Sequence, residues 1–268
     1  MQNLHNCMYN NLLMWILAFS FAFYLFALWK RPLMYVGLVL QIVYIFSRGA
    51  ELGRLPLVGP HDTLVFMTAS IAAFAIPFSL SLKDRSEFLS GVSVTAAVFT
   101  AFAMTAKQHN APLPPVLKTF WFESHVVLAF MSYALFAIAA ILGGFYLLRS
   151  GKADIENQKD AGGETASKWK SSVEGLGYRA VLIGYCLFSL SMIFGGIWAY
   201  LAWGTYWLWT PKELWTSILW GFYSFYLHAR LRKWWSGKPM AYMGIIGFMV
   251  VIFTYLGVSL LMKSSHSF

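Results

Sequence analysis

The chain has 268 residues, of which 59% are hydrophobic and only 12% charged, where a soluble globular domain carries roughly a quarter charged residues. Its mean hydropathy of +0.59 places it in a bilayer. The net charge of +9 does not point to nucleic acid, because the basic residues lie between apolar runs rather than in one patch, and the two cysteines, Cys7 and Cys186, form neither a CxxC nor a CxxCH motif, which excludes a disulfide scaffold and a c-type cytochrome.

Apolar runs judged against the ~20 residues of a helical crossing predict eight spans, at about 9–29, 33–50, 62–82, 88–106, 121–148, 178–202, 214–231 and 240–262. The first ends in no small-residue cleavage site and reads as a retained helix rather than a removed signal peptide. The second is short. Between the fourth and fifth, 107–120 holds Pro112, Pro114 and Pro115 and reads as a loop. The stretch 149–177 is polar and reads as a mobile cytoplasmic loop. No internal repeat or second domain is evident. The expectation is an all-α membrane protein: one polytopic domain over 1–268, a bundle of about eight transmembrane helices.

Lys and Arg orient the bundle. With the N-terminus outside, the inner loops take Lys30, Arg31, Lys83, Arg85, the basic residues from Arg149 to Arg179, and Arg230, Arg232, Lys233 and Lys238. The outer side takes only Arg48, Arg54, Lys107, Lys118, Lys212 and Lys263. This satisfies the positive-inside rule and places both termini outside.

The densest signal is Trp203 to His228, WGTYWLWTPKELWTSILWGFYSFYLH. Trp198, Trp203, Trp207, Trp209, Trp215 and Trp220 are six of the twelve tryptophans. Each buries a large flat surface and carries one N–H that wants a partner. Gly204, Pro211, Lys212 and Glu213 interrupt the run, so it is not an ordinary membrane helix. It reads as a flat aromatic platform in an external loop, suited to a planar apolar ligand such as haem. The alternative is an interfacial aromatic belt, although a belt spreads over many helix ends and this cluster sits in one loop.

Of the six histidines, His125 falls at the outer end of the fifth span and His266 just past the outer end of the eighth. Two imidazoles flanking an aromatic shelf suit axial ligation of haem iron from both faces; each taken alone reads more readily as a solvated or hydrogen-bonded interfacial side chain. His228, in YLHAR, lies near the inner end of the seventh span. It reads either as a snorkelling residue or as a ligand on the inner side, with Arg230 pairing a propionate. His5, His61 and His109 read as solvent-exposed loop residues.

The stretch WGTYWLWTPKELW…YLHAR resembles the tryptophan-rich WWD segment, here 198–228, of the cytochrome c assembly family, the CcsA/ResC type of haem-handling membrane proteins. GRLPLVGPHDTLVF resembles that family's outer loop before the third helix. LKTFWFESHVVLAFMSYALF resembles the helix bearing its first external histidine, and YLGVSLLMKSSHSF the end bearing the second.

The resemblance implies the channel half of a system II cytochrome c synthase in a bacterial inner membrane. Haem b enters at His228, its propionates reaching toward Arg230 and Arg232. It moves to the outer face, where Trp203, Tyr206, Trp207, Trp209 and Trp215 hold it between His125 and His266. A CcsB/ResB-type partner completes the synthase, and apocytochrome c supplies CxxCH thiols that add to the vinyl groups. No residue of this chain reads as a catalytic nucleophile. One departure stands out: Thr210 occupies the position of the family's usual Asp. Thr hydrogen-bonds but supplies no charge; Glu213 is close enough in sequence to take over part of that role. The departure leaves open a haem-binding regulator of the same family that attaches nothing. A quinol-oxidising cytochrome b, which needs paired histidines within the bilayer, and a transporter of another small molecule fit less well.

Overall fold

The computed structural model describes residues 2–82, 85–159 and 164–257, with side chains described for Met8, for 10–82, 85–150 and 167–257. All eight long elements are α-helices: α1 Gln2–Phe26, α2 Leu33–Leu52, α3 Pro60–Leu80, α4 Arg85–Thr105, α5 Phe120–Lys159, α6 Glu164–Trp203, α7 Pro211–Leu231 and α8 Lys238–Ile252. No strand occurs among the described residues. Six of the helices are long and apolar enough to cross a membrane: α2, α3, α4 and α8 with its π-helical extension, together with the apolar stretches Phe120–Ser150 of α5 and Ser167–Trp203 of α6. The apolar part of α1, Asn10–Phe26, is shorter. The chain is an all-α, multi-pass membrane protein.

The predicted helices all form, but 149–177 is not a loop. It is helical over 149–159 and again over 164–177. The reason is geometric. α5 and α6 each run 40 residues, roughly 60 Å at 1.5 Å per residue, about twice the ~30 Å hydrocarbon core. In α6 the extension packs on α5 through a short apolar stripe, with Val173 and Leu176 buried and Trp169 against Phe145 and Tyr146, and the Lys, Ser and Glu residues between them make the stretch read as polar.

The helices form two compact units. The first takes in Met1–Ser79 and Asp84–Leu117. Here α1 packs on α2 and α4, and a polar ladder climbs the buried side of α2. Ser20 donates to the Gly37 carbonyl (2.8 Å), Tyr24 donates to Gln41 (2.7 Å), and Tyr44 meets His61 (2.5 Å). In hydrocarbon every polar group must find a partner inside the protein, and these bonds also fasten helix to helix.

The second unit takes in Leu80–Lys83 and Lys118–Phe268. It is built on the α5–α6 pair, with α8 against α5 and α7 against α6. Small residues set the spacing. A Cβ on Gly143 would stand 2.7 Å from the Ala241 carbonyl oxygen, and one on Gly244 3.3 Å from that of Ala139, so α5 and α8 touch backbone to backbone. Phe136 and Tyr223 stack at 3.7 Å, nearly parallel. A π-helical turn, Phe253–Gly257, follows α8.

Candidate functional site

The tryptophan loop is an ordered turn between two helices of the second unit. α6 ends at Trp203, and Gly204 (φ 76°) turns the chain, its N–H returning to the Tyr200 carbonyl at 2.8 Å. α7 begins with a complete capping box. Thr210 Oγ1 accepts from the Glu213 N–H (3.4 Å), and Glu213 Oε2 accepts from the Thr210 N–H (2.9 Å). The same oxygen accepts from the Leu208 N–H at 3.0 Å, so one carboxylate fixes both the helix start and the preceding loop. Pro211 stands at the first helical position, where its missing N–H costs nothing. The pattern T-P-K-E is therefore a helix start, readable in the sequence as Thr followed three residues later by Glu. Asp and Thr both serve as N-caps, so Thr210 keeps the cap that the usual Asp would make.

Trp209 adopts φ 55°, a left-handed backbone that a bulky residue enters at a cost. Its indole is 70% exposed and meets Trp207 edge to face at 6.5 Å. Tyr206 stacks on Tyr200 at 4.5 Å. Trp203 packs on Trp198 (4.8 Å), which packs on Phe122 of α5 (5.1 Å). Trp215 sits apart from the loop, against Phe253 of the π-helical turn at 4.5 Å.

His125 lies in the second turn of α5, half-buried against α6. Its Nδ1 is 2.8 Å from the Ser191 carbonyl. A carbonyl only accepts, so Nδ1 carries the proton and the lone pair falls on Nε2. Ser191 Oγ donates back to the His125 carbonyl at 2.9 Å. Gly195 makes the space: a Cβ there would stand 2.7 Å from Nδ1. The neighbouring Gly196 lies under the loop, its added Cβ 3.6 Å from the Tyr206 carbonyl. Consecutive residues of α6 thus bring His125 and the tryptophan loop to one level. His266 lies outside the described residues. Phe130 of α5 packs on Tyr255 at 5.1 Å, so the last described turn of the chain reaches α5 little more than a turn from His125.

At the other end of α7, His228 is exposed and its ring lies 5.1 Å from Trp234, edge to face. Arg230 is not beside it. Residues two apart on a helix point about 200° apart, and Arg230 Nη1 pairs with Glu174 of α6 at 2.9 Å. Arg232, one turn beyond His228, is exposed and shares the histidine's face.

One cluster escaped the sequence reading. His61 is buried, not an exposed loop residue. Its Nδ1 donates to the Ala103 carbonyl (2.7 Å), and Nε2 accepts from the Tyr44 hydroxyl, so both ring nitrogens are committed to structure. The adjacent Asp62 and the fully buried Arg48 form an ion pair at 3.5 Å. Arg48 also reaches Glu51 at 3.1 Å and Asn110 in the proline-rich loop. Arg54 donates to the His109 carbonyl at 3.1 Å. Burial pushes its guanidinium below the ordinary value, opposed by the Asp62 carboxylate. The signal was available: an ionisable residue in an apolar helix is unusual enough to demand a partner, and Arg48 and Asp62 lie at facing helix ends.

The chain is similar to known proteins along most of its length. A family model described as cytochrome C assembly protein matches residues 6–266. The cytochrome c biogenesis protein CcsA of Guillardia theta is 32% identical over 242 residues, covering 84% of this chain and 80% of that protein. The protein of the same name in Trieres chinensis is 29% identical over 300 residues, covering 97% and 96%. That of Prochlorococcus marinus (strain NATL1A) is 30% identical over 250 residues, covering 84% and 79%.

Proposed function

The chain belongs to the cytochrome c assembly protein family, and on that premise we propose that it carries haem b to the outer face of a bacterial inner membrane and presents it there to apocytochrome c. The observation that carries this reading is the 2.8 Å contact between His125 Nδ1 and the Ser191 carbonyl. Metal-ligating histidines characteristically donate their second ring N–H to a carbonyl or carboxylate, which fixes the ring and raises its basicity. The Nδ1–Ser191 bond does this, beside a rigid aromatic loop. His266 supplies the second axial ligand, and Trp203, Tyr206, Trp207 and Trp209 hold the porphyrin; Trp215 braces α7 against the end of α8, from which His266 follows.

Haem enters at His228. The face of α7 between this residue and the loop carries Leu214, Ile218, Gly221 and Phe225, all exposed. Their spacing of four and three residues keeps them in line, giving an apolar track of about 21 Å from Leu214 to His228 at 1.5 Å per residue, whose four side chains carry no polar group to strip of water.

Attachment is an addition. The cysteine sulfur of the apocytochrome's CxxCH bonds one vinyl carbon and the proton goes to the other, so no oxidant is consumed. The thiolate is the nucleophile and comes from the cytochrome. This chain contributes position, which is worth on the order of 7–11 kcal/mol for well-oriented groups, within a complex containing a CcsB/ResB-type partner. The cytochrome's own CxxCH histidine then displaces one axial ligand and releases the product. A regulator that binds haem without attaching it gains no support from Thr210, since the cap survives the exchange. The test is cytochrome c maturation in cells lacking the native gene, with and without a ResB-type partner. Restored covalent haem on the cytochrome, dependent on His125, is expected. Haem binding without any maturation would return the regulator.

A further inference from the structure

The turn that ends α7 is built in an unusual way. The Trp234 N–H bonds the Ala229 carbonyl at 3.0 Å, and the Lys233 N–H bonds the Arg230 carbonyl at 3.1 Å. Together these make a Schellman cap, whose turning residue is usually glycine. Here it is Lys233, at φ 56°, a conformation that glycine takes without penalty and lysine does not. Strain of this kind persists where the surrounding structure needs the geometry it produces. The turn folds Trp234 back over the last turn of α7, and the residue it meets is His228, ring to ring at 5.1 Å. The neighbouring Trp235 packs on Phe225 at 5.5 Å. Trp234 remains 59% exposed, so the contact leaves most of its flat surface open. Arg232 is one turn from His228 on the same exposed face, while Arg230 is held by Glu174.

We propose that Trp234 and Arg232 complete the inner haem site, Trp234 as the flat wall beside the His228 imidazole and Arg232 as the partner of a haem propionate. The ligand this arrangement fits is planar, apolar in its body, metal-bearing and anionic at one edge. The indole covers porphyrin carbon, the imidazole meets the iron, and the guanidinium offers paired donors to a carboxylate. The inference rests on the reading of His228 as the entry ligand. Its competitor is a membrane anchor, because exposed Trp beside Lys and Arg is also the composition of an interfacial belt.

The two separate in the full-length chain carrying both His125→Ala and His266→Ala, so that both outer ligands are gone and inner haem is counted alone, purified with haem loaded in cells. The readouts are haem per protein and the electron paramagnetic resonance of the ferric iron. Trp234→Ala is expected to lower inner haem several-fold, and Trp234→Phe, which keeps a flat ring, to restore most of it. Arg232→Gln is expected to lower it about tenfold, the worth of one charge-assisted hydrogen bond. Lys233→Gly relieves the turn and leaves haem unchanged, which shows that the cap tolerates substitution. Loss of haem in His228→Ala with full retention in both Trp234→Ala and Arg232→Gln overturns the inference and makes Trp234 an anchor. Full retention in His228→Ala itself overturns the inner-site reading beneath it.

Discussion

Gly195 and His125 interlock across the α5–α6 seam: a Cβ on the glycine would stand 2.7 Å from Nδ1 and 2.9 Å from Cε1 of the imidazole. No real Cβ sits that close, so the ring keeps its place, and its bond to Ser191, only while residue 195 has no side chain. Gly195→Ala is expected to push the imidazole off the Ser191 carbonyl and to destabilise the packed seam by about 1–3 kcal/mol. Haem at the outer site falls with it. A spectrum of the purified variant checks this, and so does imidazole. Free imidazole rescues His125→Gly, which leaves a hole, but not Gly195→Ala, which fills one.

The capping box makes Thr210 replaceable by Asp and not by Ala. Thr210→Ala removes one cap and is expected to cost about 1 kcal/mol. Glu213→Ala removes the acceptor of both the Leu208 and Thr210 N–H groups and is expected to cost more. Thr210→Asp is expected to be neutral in thermal stability in detergent and in haem retention. Protease cleavage within 204–210 reports the loosening in the two Ala variants.

Ring and backbone separate at Trp209. Trp209→Gly removes an exposed indole and releases the left-handed strain at φ 55°, so the protein is expected to be as stable as before or slightly more so. Haem retention nevertheless falls, because the ring and not the fold is what the ligand uses. Retention at the original level, with unchanged stability, assigns Trp209 to the lipid interface instead.

Arg48 and Asp62 show no side-chain exposure. Breaking a buried pair from one side strands a charge and typically costs about 3–5 kcal/mol. Arg48→Gln and Asp62→Asn are each expected to lower the melting temperature strongly. The double variant is expected to lose less than the sum of the two, and the thermal double-mutant cycle measures the difference. Arg48→Gln also frees Asn110, so cleavage of the 107–119 loop is expected to rise in that variant alone.

Much of this architecture is legible in the chain, and the parts that are not share causes. Six of the eight helices announce themselves as bilayer crossings by length and apolarity, and the apolar runs of α1 and α7 are legible beside them. The helical ends of α5 and α6 are harder to read, because the apolar stripe Trp169, Val173 and Leu176 of α6 is short and lies among Lys, Ser and Glu residues. Burial of His61 was hidden because its partners, Tyr44 and the Ala103 carbonyl, come from helices distant in sequence. Of the two arginines beyond His228, helix phase alone separates their faces: Arg230, two residues on, points away, and Arg232, four residues on, shares the histidine's face. Thr210 was read as a missing charge although T-P-K-E spells a helix cap. The fold of Trp234 onto His228 could not be read at all, for the turn that makes it has lysine where glycine would have given the signal.

The central claim is that His125 and His266 hold haem iron together at the outer face. The measurement that bears on it most directly is low-temperature electron paramagnetic resonance of the ferric haem in the purified full-length chain. The signal of the unaltered protein is expected to be low-spin, as two imidazole ligands require. In both His125→Gly and His266→Gly the outer-site haem is expected to become high-spin or be lost, and added imidazole to bring back the low-spin signal. An unchanged low-spin signal in both single variants contradicts the account and moves the iron ligands elsewhere.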